Sequence, residues 1–232
     1  MIGQDNTSWL GRLPFPFTQH DEVFELAASR GGVADEWHTD ITFQDQPSKM
    51  SILHMVKCPD FGGDTMWTNL CQAYDELSPP MQALADGISA LHDAHPHNHS
   101  ELMAVHPVVR VHPETGRKAL YVNEHFTRRI VEMNASESSA VLDYFTAWVK
   151  NPRFTVRYHW TPGTIAFWDN RCTQHFVLND FEGERIIQRV TVMGDVVQGT
   201  QPPQWEPWVR PGRTSATTRL DRQLHNYYKQ RP

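Results

Sequence analysis

A chain of 232 residues, 39% hydrophobic with 16 prolines and 13 glycines, can bury a sizeable core and is read as one turn-rich domain over 1–232. Its formal charge of −6 argues against nucleic acid as a partner. No apolar run approaches the ~20 residues that cross a bilayer, and the first five residues are no secretory start, so no membrane partner is expected. Three cysteines, Cys58, Cys71 and Cys172, lack Cys-x-x-Cys spacing. That argues against a disulfide framework or zinc knuckle and suits a reducing cytoplasm.

Residues 1–36 are weakly patterned, with Pro14 and Pro16 early and Gly31-Gly32 late. From 37 the sequence reads as β-structure: strands at 37–43 and 50–57, a turn at Gly62-Gly63, and a strand at 64–68. Two short helices are predicted at 69–77 and 80–85, separated by Ser78-Pro79-Pro80. Strand resumes at 104–112, and Pro113-Glu114-Thr115-Gly116 turns into a strand at 119–123. Val141, Leu142, Phe145, Trp148 and Val149 follow helical periodicity, with Asn134 or Ser136 available as N-cap. Phe154, Val156, Tyr158 and Trp160 then alternate as a strand ending at Thr161-Pro162-Gly163, and strands at 164–169 and 185–194 follow. Many short strands with few helices predict a mainly β fold, a sandwich or jelly roll; a doubly wound α/β fold is disfavoured because regular strand–helix alternation is missing. A tail over 201–232 is rich in proline and then basic, with Arg213, Arg219, Arg222, Lys229 and Arg231. It is read as a solvated or subunit-packing extension.

The chemistry rests on separated pieces. His38 and Asp40 lie two apart in the predicted 37–43 strand, where i and i+2 share a face roughly 6–7 Å apart. His-x-acid spacing alone is weak, since His20-Asp21-Glu22 and His112-Pro113-Glu114 share it. His112, however, opens a turn, and His20 sits in an acidic, unpatterned stretch. His175, after the 164–169 strand, can supply a third ligand, and two histidines with one carboxylate leave half an octahedron open on non-haem Fe(II). Arg185 and Arg189, four apart on one strand, share a face with Cα atoms roughly 13 Å apart. That separation suits two anions in one cavity; the bland alternative is two surface arginines on an edge strand. The other histidines are read as satisfied polar or core residues, with the caution that His92, His95, His97 and His99 could collect adventitious metal.

These pieces resemble a known family. Trp-His-Thr-Asp-Ile-Thr-Phe (37–43), Gly-Gly-Asp-Thr-Met-Trp-Thr (62–68) and His-Pro-Val-Val-Arg-Val-His-Pro-Glu-Thr-Gly (106–116) match the taurine dioxygenase group of the TauD/TfdA Fe(II)/2-oxoglutarate-dependent dioxygenases. So do Tyr-Val-Asn-Glu-His-Phe-Thr (121–127), Trp-Asp-Asn-Arg-Cys-Thr-Gln-His (168–175) and Arg-Val-Thr-Val-Met-Gly-Asp (189–195). The resemblance covers 37–195, which is read as the catalytic core. It implies a double-stranded β-helix (jelly roll, cupin-like), with Fe(II) held by His38, Asp40 and His175. It implies that Thr65 and Arg185 hold the distal carboxylate of 2-oxoglutarate, that Arg189 faces the substrate's anionic group, and that Phe126 and Ile41 line the substrate pocket. It further implies O₂ as co-substrate, succinate and CO₂ as products, and hydroxylation beside a sulfonate that collapses to an aldehyde and sulfite. Asp40 supports hydroxylation over halogenation, since halogenating relatives lack that carboxylate. Relatives commonly form dimers or tetramers, so a homo-oligomer is expected.

Two departures bear on substrate. Relatives carry a longer stretch before His-x-Asp and a longer segment between His92-Asp93 and His106-Pro107. The reading favoured is that segments are missing from this chain, because true loss would expose a reactive site to water. Ala34 stands where taurine-specific members have an asparagine. A small anionic organic substrate is therefore expected: an alkyl sulfonate such as taurine first, an alkyl sulfate ester or aryloxy-carboxylate as the alternative. Two rival classes remain: a non-catalytic jelly-roll anion or metal-binding module, and a zinc hydrolase using the same ligands. The latter offers no role for Thr65 with Arg185.

Overall fold

The computed structural model describes residues 23–31, 34–208 and 219–229. His20, the early prolines and Arg213 and Arg231 of the tail lie outside the described residues. In chain order the strands before the long helix are β1 (Phe24–Ala27), β2 (Ser48–Lys57), β3 (Thr65–Asn69), β4 (Ser89–Ala94), β5 (His99–Pro107), β6 (Val109–Val111), β7 (Lys118–Leu120) and β8 (Thr127–Ile130). After it come β9 (Thr155–Tyr158), β10 (Ile165–Asp169), β11 (Thr173–Val177) and β12 (Ile186–Met193). The helices are α1 (Leu70–Asp75), α2 (Pro79–Asp86), α3 (Ala135–Trp148) and α4 (Arg219–Lys229).

Two antiparallel sheets carry the fold, one ordered β1-β12-β2-β10 and the other β11-β3-β9. Strands β9, β10, β11 and β12 alternate between them, so each connection crosses from one sheet to the other, which is the winding of a jelly roll. Leu53 and Met55 of β2, Trp168 of β10 and Ile187 of β12 pack with Trp160, and Trp67 of β3 packs against this cluster. This intersheet layer is one core. The larger core lies where Leu142 and Phe145 of α3 and Leu70 and Ala73 of α1 meet Ala90, Leu120 and Ile130. Of the two N-cap candidates it is Asn134 that caps α3, through a reciprocal capping box with Glu137.

Three readings need correction. The predicted strand at 37–43 does not form. His38 makes a single bridge to His175, and the chain then turns through 40–43 with Ile41 at φ 51°. A buried, β-branched residue at positive φ is strained, so tertiary contacts override its extended preference there. The predicted strand at 104–112 is two strands, β5 and β6, broken at Val108. The tail is not simply a solvated extension: Trp208 N donates to Val131 O, and Leu224 of α4 is buried with Leu91 and Val131. The short interval after His92-Asp93 folds as a closed hairpin, with Asp93 opposite Met103 and Ala94 opposite His99.

Candidate metal centre

His38 and His175 are held side by side by reciprocal backbone bonds: His38 N donates to His175 O at 3.1 Å and His175 N to His38 O at 2.8 Å. Directly paired residues on antiparallel strands project to the same face, and the two rings lie 4.1 Å apart between centroids. Thr39 points the other way and donates to Thr173 O at 2.9 Å. The turn then swings Asp40 back, placing Oδ1 3.7 Å from His38 Nε2 and 3.9 Å from His175 Nε2.

One ligand atom from each of the three lies within 4.8 Å of the others, and all three residues are buried. Ligands ~2.1 Å from one ion at right angles would sit ~3 Å apart, so small side-chain shifts close the site. His38 Nδ1 donates to Glu36 O at 2.7 Å, which turns Nε2 inward as the lone-pair atom. Burial holds His175 down to about 4, and burial together with the neighbouring His175 holds His38 well below its ordinary value. Burial opposes ionisation of Asp40, but the Arg189 guanidinium, the two histidines and the Ser51 hydroxyl hold it well below the usual carboxylate range. Neutral imidazoles beside an ionised carboxylate are the ligand forms at neutral pH.

The site continues along the intersheet space. Arg185 is buried, donates Nε to Gly63 O at 3.1 Å, and puts Nη2 3.5 Å from Thr65 Oγ1. Among the described residues no carboxylate pairs with it, and burial lowers it to about 10. A buried guanidinium without an acid is a receptor for an incoming anion. Trp160 Nε1 donates to Thr65 Oγ1 at 2.8 Å, so the Thr65 hydroxyl hydrogen is left to donate elsewhere. Arg189 reaches Asp40 Oδ1 at 3.0 Å, and its Nε has no partner. Phe126 stands edge-on to His38 with centroids 6.3 Å apart and packs against Phe43, in one cluster with Ile41. His38, Asp40 and His175 thus meet at one locus, Arg189 and Phe126 contact it, and Thr65 lies on β3 two residues from Trp67, the cross-strand partner of His175.

Two residues escaped the sequence reading. His125 lies 5.5 Å from the His38 ring and pairs through Nδ1 with Glu36 at 2.5 Å, while His97 stands edge-on to His125 with centroids 5.7 Å apart. Position beside Phe126 was the one available signal for His125; His97 stood out only as a member of the histidine-rich run. Other histidines hold the turn after Asp40. His92 Nδ1 meets Thr42 Oγ1 at 3.0 Å, and His106 Nε2 donates to Thr42 O at 2.9 Å and Gln44 O at 3.0 Å. The histidine-rich run is dispersed, and no three-ligand group among the described residues draws on it. The second candidate group, His112, Asp169 and Cys172, is already committed. His112 Nδ1 accepts from the Glu114 and Thr115 amides, so Nε2 donates to Asp169, whose carboxylate is also gripped by Arg171.

Comparison with known proteins agrees with this geometry. The family model for taurine catabolism dioxygenase TauD, TfdA family matches residues 11–191. An alkylsulfatase of Acinetobacter baylyi is 36% identical over 77% of this chain and 63% of its own length. An alpha-ketoglutarate-dependent sulfate ester dioxygenase of Pseudomonas putida is 36% identical over 85% of this chain and 69% of its own. The crystal structure of a taurine dioxygenase from Burkholderia xenovorans superposes with a TM-score of 0.73 at 40% identity, covering 80% of this chain and 69% of that one. This chain thus spans less than two thirds of the first relative's length. A buried His/Asp/His cluster between jelly-roll sheets, a family match across most of the chain and relatives of this similarity lead to one conclusion: the chain belongs to the TauD/TfdA family of dioxygenases.

Proposed function

We propose that this protein is an Fe(II)- and 2-oxoglutarate-dependent dioxygenase that hydroxylates a small organic anion bearing a sulfo group, an alkyl sulfonate or an alkyl sulfate ester. The observation that carries the reading is the buried convergence of His38, Asp40 and His175 beside an acid-free Arg185–Thr65 pair. The donor set fits Fe(II): two neutral imidazoles and one ionised carboxylate leave positions for a co-substrate. When bound, iron with 2-oxoglutarate and O₂ supplies oxidative decarboxylation and C–H hydroxylation. This chain's residues do the rest. Arg185 and the Thr65 hydroxyl clamp the distal carboxylate of 2-oxoglutarate, and Arg189 holds the substrate anion. Phe126 and Ile41 exclude water from the reacting carbon.

The core over 37–195 is proposed as one catalytic unit. The sulfo preference is supported by the relatives named for sulfate esters and taurine, while Ala34, standing where taurine-specific members have an asparagine, keeps taurine from being singled out within that class. A cytoplasmic setting is supported by the free cysteines. A homo-oligomer is supported by exposed Val156 on β9 and exposed Ile165 and Phe167 on β10, each an edge strand of its sheet. No helix among the described residues is long and apolar enough to cross a membrane.

The test is succinate formation from 2-oxoglutarate with Fe(II) and O₂, screened against taurine, longer alkyl sulfonates, alkyl sulfates and aryloxy-carboxylates. Sulfite release with sulfonates or sulfate release with esters identifies the sulfo class and separates its two members. Turnover of aryloxy-carboxylates alone would overturn the sulfo assignment. Activity retained under strict anaerobiosis would replace the oxygenase reading with a hydrolytic one.

A further inference from the structure

We propose that Ser51 and Asn170 are positioning residues that lock the Asp40 carboxylate so that it offers one oxygen to the metal. The inference rests on the reading of Asp40 as an iron ligand and goes beyond it, to what decides how that ligand binds.

The two oxygens of Asp40 have different surroundings. Oδ1 faces the imidazoles of His38 and His175 at 3.7 and 3.9 Å and accepts from Arg189 Nη1 at 3.0 Å. Oδ2 is turned away and accepts from Ser51 Oγ at 2.5 Å, with Asn170 Nδ2 3.4 Å away. Asn170 acts mainly through Ser51. Its Nδ2 donates at 2.9 Å both to Ser48 Oγ and to Ser51 Oγ. An amide nitrogen has two hydrogens, and both are directed at the serines. Because Ser51 Oγ accepts from Asn170, its own hydrogen is left to point at Asp40. Asn170 is in turn fixed at both ends: its Oδ1 accepts from Trp168 Nε1 at 3.0 Å, and its backbone N donates to Lys49 O at 2.9 Å.

Ser48, Ser51 and Asn170 are all fully buried, so water cannot substitute for any of these bonds. Rotating the carboxylate to chelate through both oxygens would strip Oδ2 of its donor in a dry environment, where an unmade bond carries its full penalty. A chelating carboxylate would also take up a metal position that 2-oxoglutarate or O₂ requires. The lock joins both sheets' connections: Ser51 lies on β2, and Asn170 on the link by which the chain crosses from β10 to β11.

The experiment compares the full chain with Ser51→Ala, Ser51→Thr, Asn170→Asp and Asp40→Ala. The readouts are Mn(II) affinity, the visible absorption of the Co(II)-loaded protein, and succinate formed per substrate oxidised. Asn170→Asp keeps the acceptor for Trp168 while removing the donor to Ser51. Ser51→Ala is expected to weaken Mn(II) binding about tenfold, to shift the Co(II) bands and to raise succinate above one per product. Ser51→Thr, which keeps the hydroxyl, is expected to restore all three, and Asn170→Asp to follow Ser51→Ala. The lock is overturned if Ser51→Ala binds Mn(II) within twofold of the parent and leaves the Co(II) spectrum unchanged while Asp40→Ala loses binding. If Asp40→Ala itself binds Mn(II) like the parent, the ligand reading fails and the lock falls with it. Should Asn170→Asp not fold, the Ser51 pair decides alone.

Discussion

Arg185 and Arg189 illustrate how much a single side chain's surroundings decide. Both are arginines on the same face, yet Arg185 is buried against Gly63 and Thr65 without a carboxylate, while Arg189 touches Asp40. Arg185→Ala is expected to raise the KM for 2-oxoglutarate roughly 10–100-fold with little change in that of the primary substrate, the size of a lost charge-assisted bond. Arg189→Ala is expected to do the reverse, with steady-state kinetics in each co-substrate as the check. Exchanged phenotypes would mean that the two anion sites are assigned the wrong way round. The side chains with family-typical chemistry were legible in the sequence. His125 was not, because its place beside His38 depends on a Glu36 contact that no local pattern encodes.

At the scale of elements, local chemistry predicted helices and turns better than it predicted strands. α3 was legible because its apolar residues recur every three to four positions and Asn134 was one of two N-cap candidates, both signals local to the helix. Asn134→Ala is expected to cost about 1 kcal/mol, read as a lowered denaturation midpoint with an unchanged slope. The Gly62-Gly63 turn was legible too, and the reason is steric. Gly62 sits at φ 72°, and a Cβ there would lie 2.5 Å from Asp180 O, which is backbone and cannot swing aside. Gly62→Ala is expected to destabilise by about 1–3 kcal/mol and to displace Thr65, so that the KM for 2-oxoglutarate rises with it. By contrast β4 (Ser89–Ala94), β8 and β11 carry histidine, arginine or glutamine where strand patterns call for apolar residues. They are strands because β4 is buried along its whole length, Arg129 of β8 pairs with Asp221 of α4, and Gln174 of β11 donates to Val122 O. Those partners come from distant parts of the chain.

For the molecule as a whole, the buried histidines couple stability to pH. Burial holds His106 and His175 at about 4 and His92 well below 6.5. The unfolded chain takes up protons on these rings near 6.5, while the folded chain does so only near 4. Across that interval the unfolded state binds more protons, so folding stability falls as pH falls. The Tm of the metal-free protein is expected to decline progressively from about pH 6.5 toward 4, and Fe(II) or Mn(II) to raise Tm less as His38 and His175 protonate. A Tm that is flat across this range would show that the rings are solvated. The intersheet core sets the other global limit: Met55→Ala, at a fully buried position between the sheets, is expected to cost about 2–5 kcal/mol in chemical denaturation.

Residue type and short spacing marked out candidate ligands, the two arginines, a helix and a mainly β fold, and the resemblance to a known family joined them into one site in a jelly roll. Each local signal is a property of chemistry or of backbone preference within a few residues. Convergence was a different matter. His38 meets His175 through one backbone bridge between segments far apart in the chain, and Asp40 reaches them through a strained turn rather than by strand alternation. Strand register explains the difference: a one-residue slip of β11 would turn His175 to the opposite face, and no local preference forbids that slip. Burial of the intersheet layer and the reciprocal bonds to His38 select the register, and with it the Ser51–Asn170 lock on Asp40.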